Sequence, residues 1–151
     1  MHDVEVRVEP ARRVAGLPHV GPYPAVGAVF ERVWTVLVAA GVTGPGVMVA
    51  YSDPGTTPEA ELQSFAGVVL PEGVACPAGL EERVLAGGRH AVLRYVGPYD
   101  GLGGAWGWLY GPWMAQAGAH AAMAPAFEIY LDDPSDTPPE ALRTDLYAPL
   151  Q

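Results

Sequence analysis

Phe127-Glu128-Ile129-Tyr130 sets one carboxylate and one phenol two positions apart in an apolar run, and in a strand that spacing puts both on the same face. Such a pair is suited to two kinds of chemistry. An ionised carboxylate among aromatic rings is a counter-charge for a lipophilic cation, and each well-placed cation–π contact adds roughly 0.5 to 2 kcal/mol. The same carboxylate is a general base toward water when a nearby phenol donates a hydrogen bond or a proton to an opening electrophile. Phe127 and Ile129 point the other way, and this apolar pair is expected to meet the helices, leaving Glu128 and Tyr130 on the opposite, concave face. Desolvation raises the pKa of such a carboxylate and a bound cation lowers it. Affinity for a cation is therefore expected to fall as the pH drops through the free-state pKa.

A second group of candidate residues is aromatic. Trp106, Trp108, Tyr110 and Trp113 fall within eight positions, and a helix cannot set them all on one stripe, because Trp106 and Trp108 lie about 200° apart. Trp106 and Trp113 share the apolar spacing of Leu102 and Leu109, which is core spacing, although Trp106 is also kept as a ligand-facing candidate. Tyr110 and its first-half counterpart Trp34 flank that stripe, and Phe65 completes the set. Other constellations fail. His2, His19, His90 and His120 have no metal-ligand spacing, and Asp132, Asp133 and Asp136 lack the spacing and glycine of a calcium loop. Gly101-x-Gly103 has Trp106 where the dinucleotide fingerprint needs glycine. No serine sits in a Gly-x-Ser-x-Gly elbow, and Cys76 precedes Pro77 in a linker. No metal and no cofactor is expected.

The elements that must hold these residues occur twice. Val4–Tyr23 aligns without a gap on Leu80–Tyr99, both ending in Val-Gly-Pro-Tyr, and the Asp-Pro and Thr-Pro turns downstream recur at an offset drifting from about 76 to about 80 residues. In each copy two alternating strands precede a helix. Gly87-Gly88 suits a tight hairpin, whereas Pro10-Ala11, with the proline φ fixed near −65°, calls for a wider one. Val26, Phe30, Val33 and Leu37, and then Leu102, Trp106, Leu109 and Trp113, mark the helices. Asp100 is a plausible N-cap, and Gly41 and Gly118 are the stops. Two strands close each copy, 46–52 with 63–70 and 126–132 with 142–148. The order is β-β-α-β-β repeated (about 4–71 and about 80–150) within one domain, an α+β fold with helices packed on a mainly antiparallel sheet.

The chain has 151 residues, a net charge of −9 and only 8 Lys plus Arg, which argues against a phosphate-tracking surface and a direct nucleic-acid partner. An acidic field raises the local concentration of cations. One cysteine requires no oxidising compartment. The start lacks signal-peptide character and no apolar run approaches the roughly 20 residues of a membrane span, so a soluble, cytoplasmic protein without a membrane partner is expected. The sequence carries no signal for oligomeric state.

Gly97-Pro-Tyr-Asp-Gly-Leu-Gly103 opening a helix, and Phe127-Glu-Ile-Tyr-Leu-Asp-Asp-Pro134 followed by Thr137-Pro-Pro-Glu-Ala-Leu-Arg-Thr-Asp-Leu-Tyr-Ala-Pro-Leu150, resemble the GyrI-like effector-binding family. The resemblance covers nearly the whole chain. It implies a pseudo-two-fold pair of modules with a small-molecule groove between them, used in multidrug sensing when fused to DNA-binding domains. Stand-alone members are linked to toxin protection, gyrase inhibition and hydrolysis of cyclopropane-bearing genotoxins. No helix-turn-helix, zinc finger or basic arm flanks the copies, so a sensor module without an output module is expected.

The resemblance assigns the face of Glu128 and Tyr130 to the groove and makes Tyr147 a second wall. By pseudo-symmetry Tyr51 answers Tyr130, Val49 answers Glu128 and Gly67 answers Tyr147. Tyr23 and Tyr99, at the Gly-Pro-Tyr corners, are expected to anchor helix starts. Capture of a hydrophobic, aromatic or cationic small molecule is the first expectation. Hydrolysis of a reactive cyclopropane by Glu128 is the alternative, and gyrase inhibition is carried by family analogy alone.

Overall fold

The computed structural model describes residues 2–151. The element order matches the repeat: β1 (Asp3–Glu9), β2 (Arg12–Val20), α1 (Gly27–Ala40), β3 (Gly46–Ala50) and β4 (Gln63–Val69), then β5 (Glu81–Leu85), β6 (Gly88–Val96), α2 (Leu102–Trp108), α3 (Met114–Ala117), β7 (Ala126–Tyr130) and β8 (Arg143–Pro149). The strands form antiparallel pairs and the helices pack on them, so the fold class is α+β.

The chain divides into two compact units, and these are not the two sequence copies. Unit 2 is Ala11–Ala86, while unit 1 joins the residues through Pro10 to Gly87–Gln151. The first strands have been exchanged. β1 pairs with β6, from Asp3↔Arg94 to Glu9↔Gly88, and β5 pairs with β2, from Arg12↔Leu85 to Gly16↔Glu81. Neither expected hairpin forms. Gly88, at φ 131, is already the first residue of β6 and is not the second residue of a tight turn, and the stiff Pro10 link carries the chain onward from β1. Unit 1 thus has the strand order β1-β6-β8-β7 and unit 2 the order β3-β4-β2-β5.

In unit 2, α1 buries Val29, Val33 and Leu37, one residue per turn, and stops at Gly41, whose φ of 68 closes a left-handed cap onto Leu37 and Val38. The helical stretch Tyr23–Ala40 reaches 18 residues at a mean hydropathy of 1.2, which meets the minimum for a membrane span by composition. Its buried stripe is nevertheless used against β2 and β4. On the sheet, Gly16 and Gly67 lie directly opposite one another. A Cβ on Gly16 would stand 2.1 Å from the Ala66 carbonyl oxygen, and one on Gly67 would stand 1.9 Å from that of Ala15. The close approach of the two backbones excludes any side chain at either position.

In unit 1 the core is built from Ala91, Leu93, Tyr95, Leu146 and Ala148 of the sheet and Leu102, Ala105, Leu109 and Met114 of the helical segment. Trp106 and Trp113 flank this core and do not fill it. Trp106 lies beside the stripe Leu102, Ala105 and Leu109, and for Trp113 the shift arises at Pro112, which has no N–H to donate. Leu109–Trp113 widens into a π turn that contains it, and the extra residue in that turn moves the buried position from Trp113 to Met114. Asp100 does not cap the helix by its side chain; it lies in a 3-10 turn, Tyr99–Gly101, that leads into α2.

Candidate functional site

Strand β7 alternates as expected, but the helix covers the other face. Opposite Tyr130 is Thr144 and opposite Glu128 is Leu146, and Leu146 belongs to the core beneath α2. Glu128 and Tyr130 therefore point toward the helix, while Phe127 and Ile129 point away from it. A strand's period of two separates the faces without saying which one a helix will cover. Glu128 is not a wet-face residue: it is 5% exposed.

Two donors hold its carboxylate. The Trp106 indole N–H donates to Oε2 at 2.7 Å and the Tyr130 hydroxyl donates to Oε1 at 2.6 Å. No Lys, Arg or His forms an ion pair with it among the described residues. Burial raises the Glu128 pKa, and the two hydrogen bonds oppose that rise without overcoming it. Burial and the adjacent carboxylate push Tyr130 far above the usual phenol range, so it stays a donor. Around this pair the rings continue outward. Tyr110 stacks on Trp106 with centroids 5.7 Å apart and planes at 20°, one helical turn along, and the Tyr99 ring lies 5.5 Å from that of Tyr130.

Removing the Trp106 donor tests this arrangement. Trp106→Phe keeps an apolar ring and deletes the N–H, leaving a buried carboxylate short of a partner. The expected cost is about 1–3 kcal/mol at neutral pH. That cost shrinks in acid, where Glu128 is protonated, and denaturant unfolding at two pH values reads the difference.

The other sequence candidates fall elsewhere. Tyr147 lies opposite Phe127 on β8 and stacks on it at 4.7 Å and 9°, so it sits on the sheet face that Glu128 does not share and cannot be a second wall for that carboxylate. His90 meets the same two rings edge-on. In unit 2, Phe65 is fully buried and Tyr51 is exposed, and the Arg83 guanidinium lies 4.4 Å and 5.2 Å from their ring centroids. Trp34 is an exposed residue of α1. Glu128, Tyr130, Trp106 and Tyr110 are thus brought together, whereas Tyr147, Tyr51, Phe65 and Trp34 do not join them within unit 1.

The register also corrects two equivalences between the copies. Tyr51 N–H donates to the Gln63 carbonyl as Leu131 N–H does to that of Arg143, and Ser64 and Thr144 stand opposite Ala50 and Tyr130. The offset is a uniform 80 here. Tyr51 therefore answers Leu131, Ala50 answers Tyr130 and Met48, not Val49, answers Glu128. The alignment slipped because the Tyr at 51 and the Tyr at 130 look alike while the backbone pairing counts differently. Gly67 does answer Tyr147.

Two residues near these rings escaped the sequence reading. Tyr99, expected to anchor a helix start, lies against Tyr130, and Arg83, to which the sequence assigns no role, lies over the Phe65 and Tyr51 rings. Neither signal was available, since both depend on which strand lies beside which. Among the described residues no three His, Cys, Asp or Glu side chains converge as metal ligands.

The family model for the GyrI-like small molecule binding domain matches residues 2–151. The chain is 34% identical over 104 residues to the probable transcriptional regulator YgiV of Escherichia coli K12, covering 68% of this chain and 64% of that protein. It thus spans less than two thirds of that relative's length. It is 31% identical over 133 residues to DNA gyrase inhibitor 2 of Dickeya dadantii, covering 85% and 84% of the two chains. The crystal structure of the EcmrR C-terminal domain superposes with a TM-score of 0.80 at 16% identity over 100% of this chain and 98% of that one. SAV2435 bound to tetraphenylphosphonium gives 0.67 at 15% identity over 99% and 94%. At such identities these structural matches speak for the fold. The family match and the relatives above 30% identity go further, and this chain is a member of the GyrI-like small-molecule-binding family.

Proposed function

We propose that this domain captures a hydrophobic aromatic cation in unit 1, with Glu128 as the counter-charge and Trp106, Tyr130 and Tyr110 as aromatic walls. One observation carries this: a buried carboxylate with two aromatic donors and no paired cation among the described residues. Burying a carboxylate in that way is costly, and a cationic ligand offsets the cost where a neutral one does not. The Trp106 indole donates to Oε2, so the ligand enters as the indole turns off that oxygen and then lies against the ring. The net charge of −9 favours the approach of cations. A fold neighbour described as bound to tetraphenylphosphonium supports the choice of a probe. The domain is taken to act in the cytoplasm, in keeping with its single free cysteine.

A second activity has its own observation. The Tyr130 hydroxyl and the Glu128 carboxylate are 2.6 Å apart, an acid–base couple that would serve hydrolysis of a strained electrophile if water reached it. Titration with tetraphenylphosphonium, monitored by calorimetry on wild type and Glu128→Gln, tests capture. Mass spectrometry of a bound cyclopropane-bearing electrophile after incubation tests turnover. Affinity that does not depend on Glu128 would remove the counter-charge, and recovery of unchanged electrophile would remove the hydrolase. A supercoiling assay with purified gyrase covers the activity named for the Dickeya dadantii relative.

A further inference from the structure

Both copies turn a Gly-Pro-Tyr corner, and the two tyrosines end differently. In unit 2 the Tyr23 hydroxyl donates to the Ser52 carbonyl and accepts the Ser52 N–H at 3.2 Å. That side chain is locked to backbone. In unit 1 the corner is held from beneath by Tyr95, which is buried and donates to the Pro98 carbonyl at 2.6 Å. Its hydroxyl fills the space under Gly97 and Gly101, where added Cβ atoms would stand 2.9 Å and 2.0 Å from it. The residue that answers Ser52, Asp132, spends its carboxylate on the backbone and guanidinium of Arg143. Tyr99 is relieved of the anchoring role. Its hydroxyl has no hydrogen-bond partner among the described residues, its ring leans on Tyr130, and it is 37% exposed.

From this asymmetry we infer that Tyr99 is a ligand-contacting residue at the rim of the Glu128 site, donating a hydrogen bond to an ester, carbonyl or ether oxygen of a ligand whose cationic body lies against Glu128. The inference rests on the capture of a cation proposed above. Burial, with Asp133, Asp132 and Glu128 nearby, raises the Tyr99 pKa and keeps the phenol protonated, so it is available as a donor. The ring contact with Tyr130 places that donor one aromatic ring outward from the carboxylate. A cation without an oxygen uses only the inner contacts; a cation carrying one uses both.

The test compares two probes on the full chain: tetraphenylphosphonium, which has no acceptor, and rhodamine 6G, a cation with an ethyl ester. Tyr99→Phe is expected to shift the affinity ratio about five- to tenfold against rhodamine 6G, the size of one hydrogen bond. Tyr23→Phe is expected to leave the ratio alone and to lower the melting temperature, because it removes an anchor, while Tyr99→Phe leaves the melting temperature unchanged. An unshifted ratio in Tyr99→Phe, or a melting-temperature loss equal to that of Tyr23→Phe, overturns the inference. Glu128→Gln separates the two ideas: if it leaves both affinities intact while Tyr99→Phe still shifts the ratio, the counter-charge falls and the Tyr99 contact stands. If wild type binds neither probe, both are wrong.

Discussion

Glu128→Gln is expected to weaken tetraphenylphosphonium binding about 30-fold or more, the cost of removing one partner from a desolvated charge pair, while raising the stability of the unliganded protein at neutral pH. The two effects have one cause. In the free protein the folded-state pKa of Glu128 lies above its unfolded value because the carboxylate is buried. Between those two pKa values the native state holds a proton that the unfolded chain has lost, so stability falls as the pH rises through this window. The contribution of Glu128 is fully present below the unfolded pKa and is lost above the folded one. Glutamine has no charge to bury and escapes that loss. For the ligand the sign reverses, because only the ionised form attracts a cation. Affinity in wild type should therefore drop on acidification at a pH above the ordinary carboxylate range, and in Glu128→Gln the pH profile should be flat. Calorimetric titrations across that range, paired with denaturant unfolding of both proteins, read the two opposing trends. A cation affinity that stays constant in wild type as Glu128 takes up its proton would contradict the assignment.

The second large effect is on folding. Gly67→Ala is expected to cost about 2–4 kcal/mol, since its Cβ would stand 1.9 Å from a backbone carbonyl oxygen on the facing strand, which cannot rotate away as a side chain can. For a chain of this size that lowers the melting temperature by roughly 4–16 °C. Gly104→Ala is the matched control. It adds the same methyl to an exposed position of α2 with nothing within 4 Å, and helix propensity makes it stabilising by about 0.5–1 kcal/mol. Thermal unfolding of the two variants should move in opposite directions. Equal shifts would show that loss of glycine flexibility, and not the close approach of β2 and β4, decides the outcome.

Local pattern and covalent geometry account for much of this protein. The duplicated Gly-Pro-Tyr corners, the period-two strands and the apolar helix stripes predict the element order and the α+β class, and the structure has both. The motifs around Glu128 also point to the family that the comparisons show. These properties depend on neighbours within a few residues, where sequence spacing translates directly into direction in space.

Four features needed the tertiary structure. β1 and β5 change partners, which no hairpin rule detects, because a strand satisfies its backbone hydrogen bonds equally well beside either neighbour. Pro112 lies in a π turn that moves the core position from Trp113 to Met114, and before that turn the buried stripe of α2 runs through Leu102, Ala105 and Leu109, so Trp106 flanks the core and reaches the carboxylate. The helix covers the face of β7 that carries Glu128, where the apolar pair Phe127 and Ile129 was expected to meet it, and the carboxylate is desolvated and held by Trp106 and Tyr130. Tyr23 is bound to backbone while Tyr99 is released toward Tyr130. Spacing along the chain thus determined which elements form and which residues share a strand face. Which face is buried, and which hydroxyl finds a partner, depended on contacts between residues far apart in sequence, where packing and hydrogen-bond satisfaction decide among locally equivalent choices.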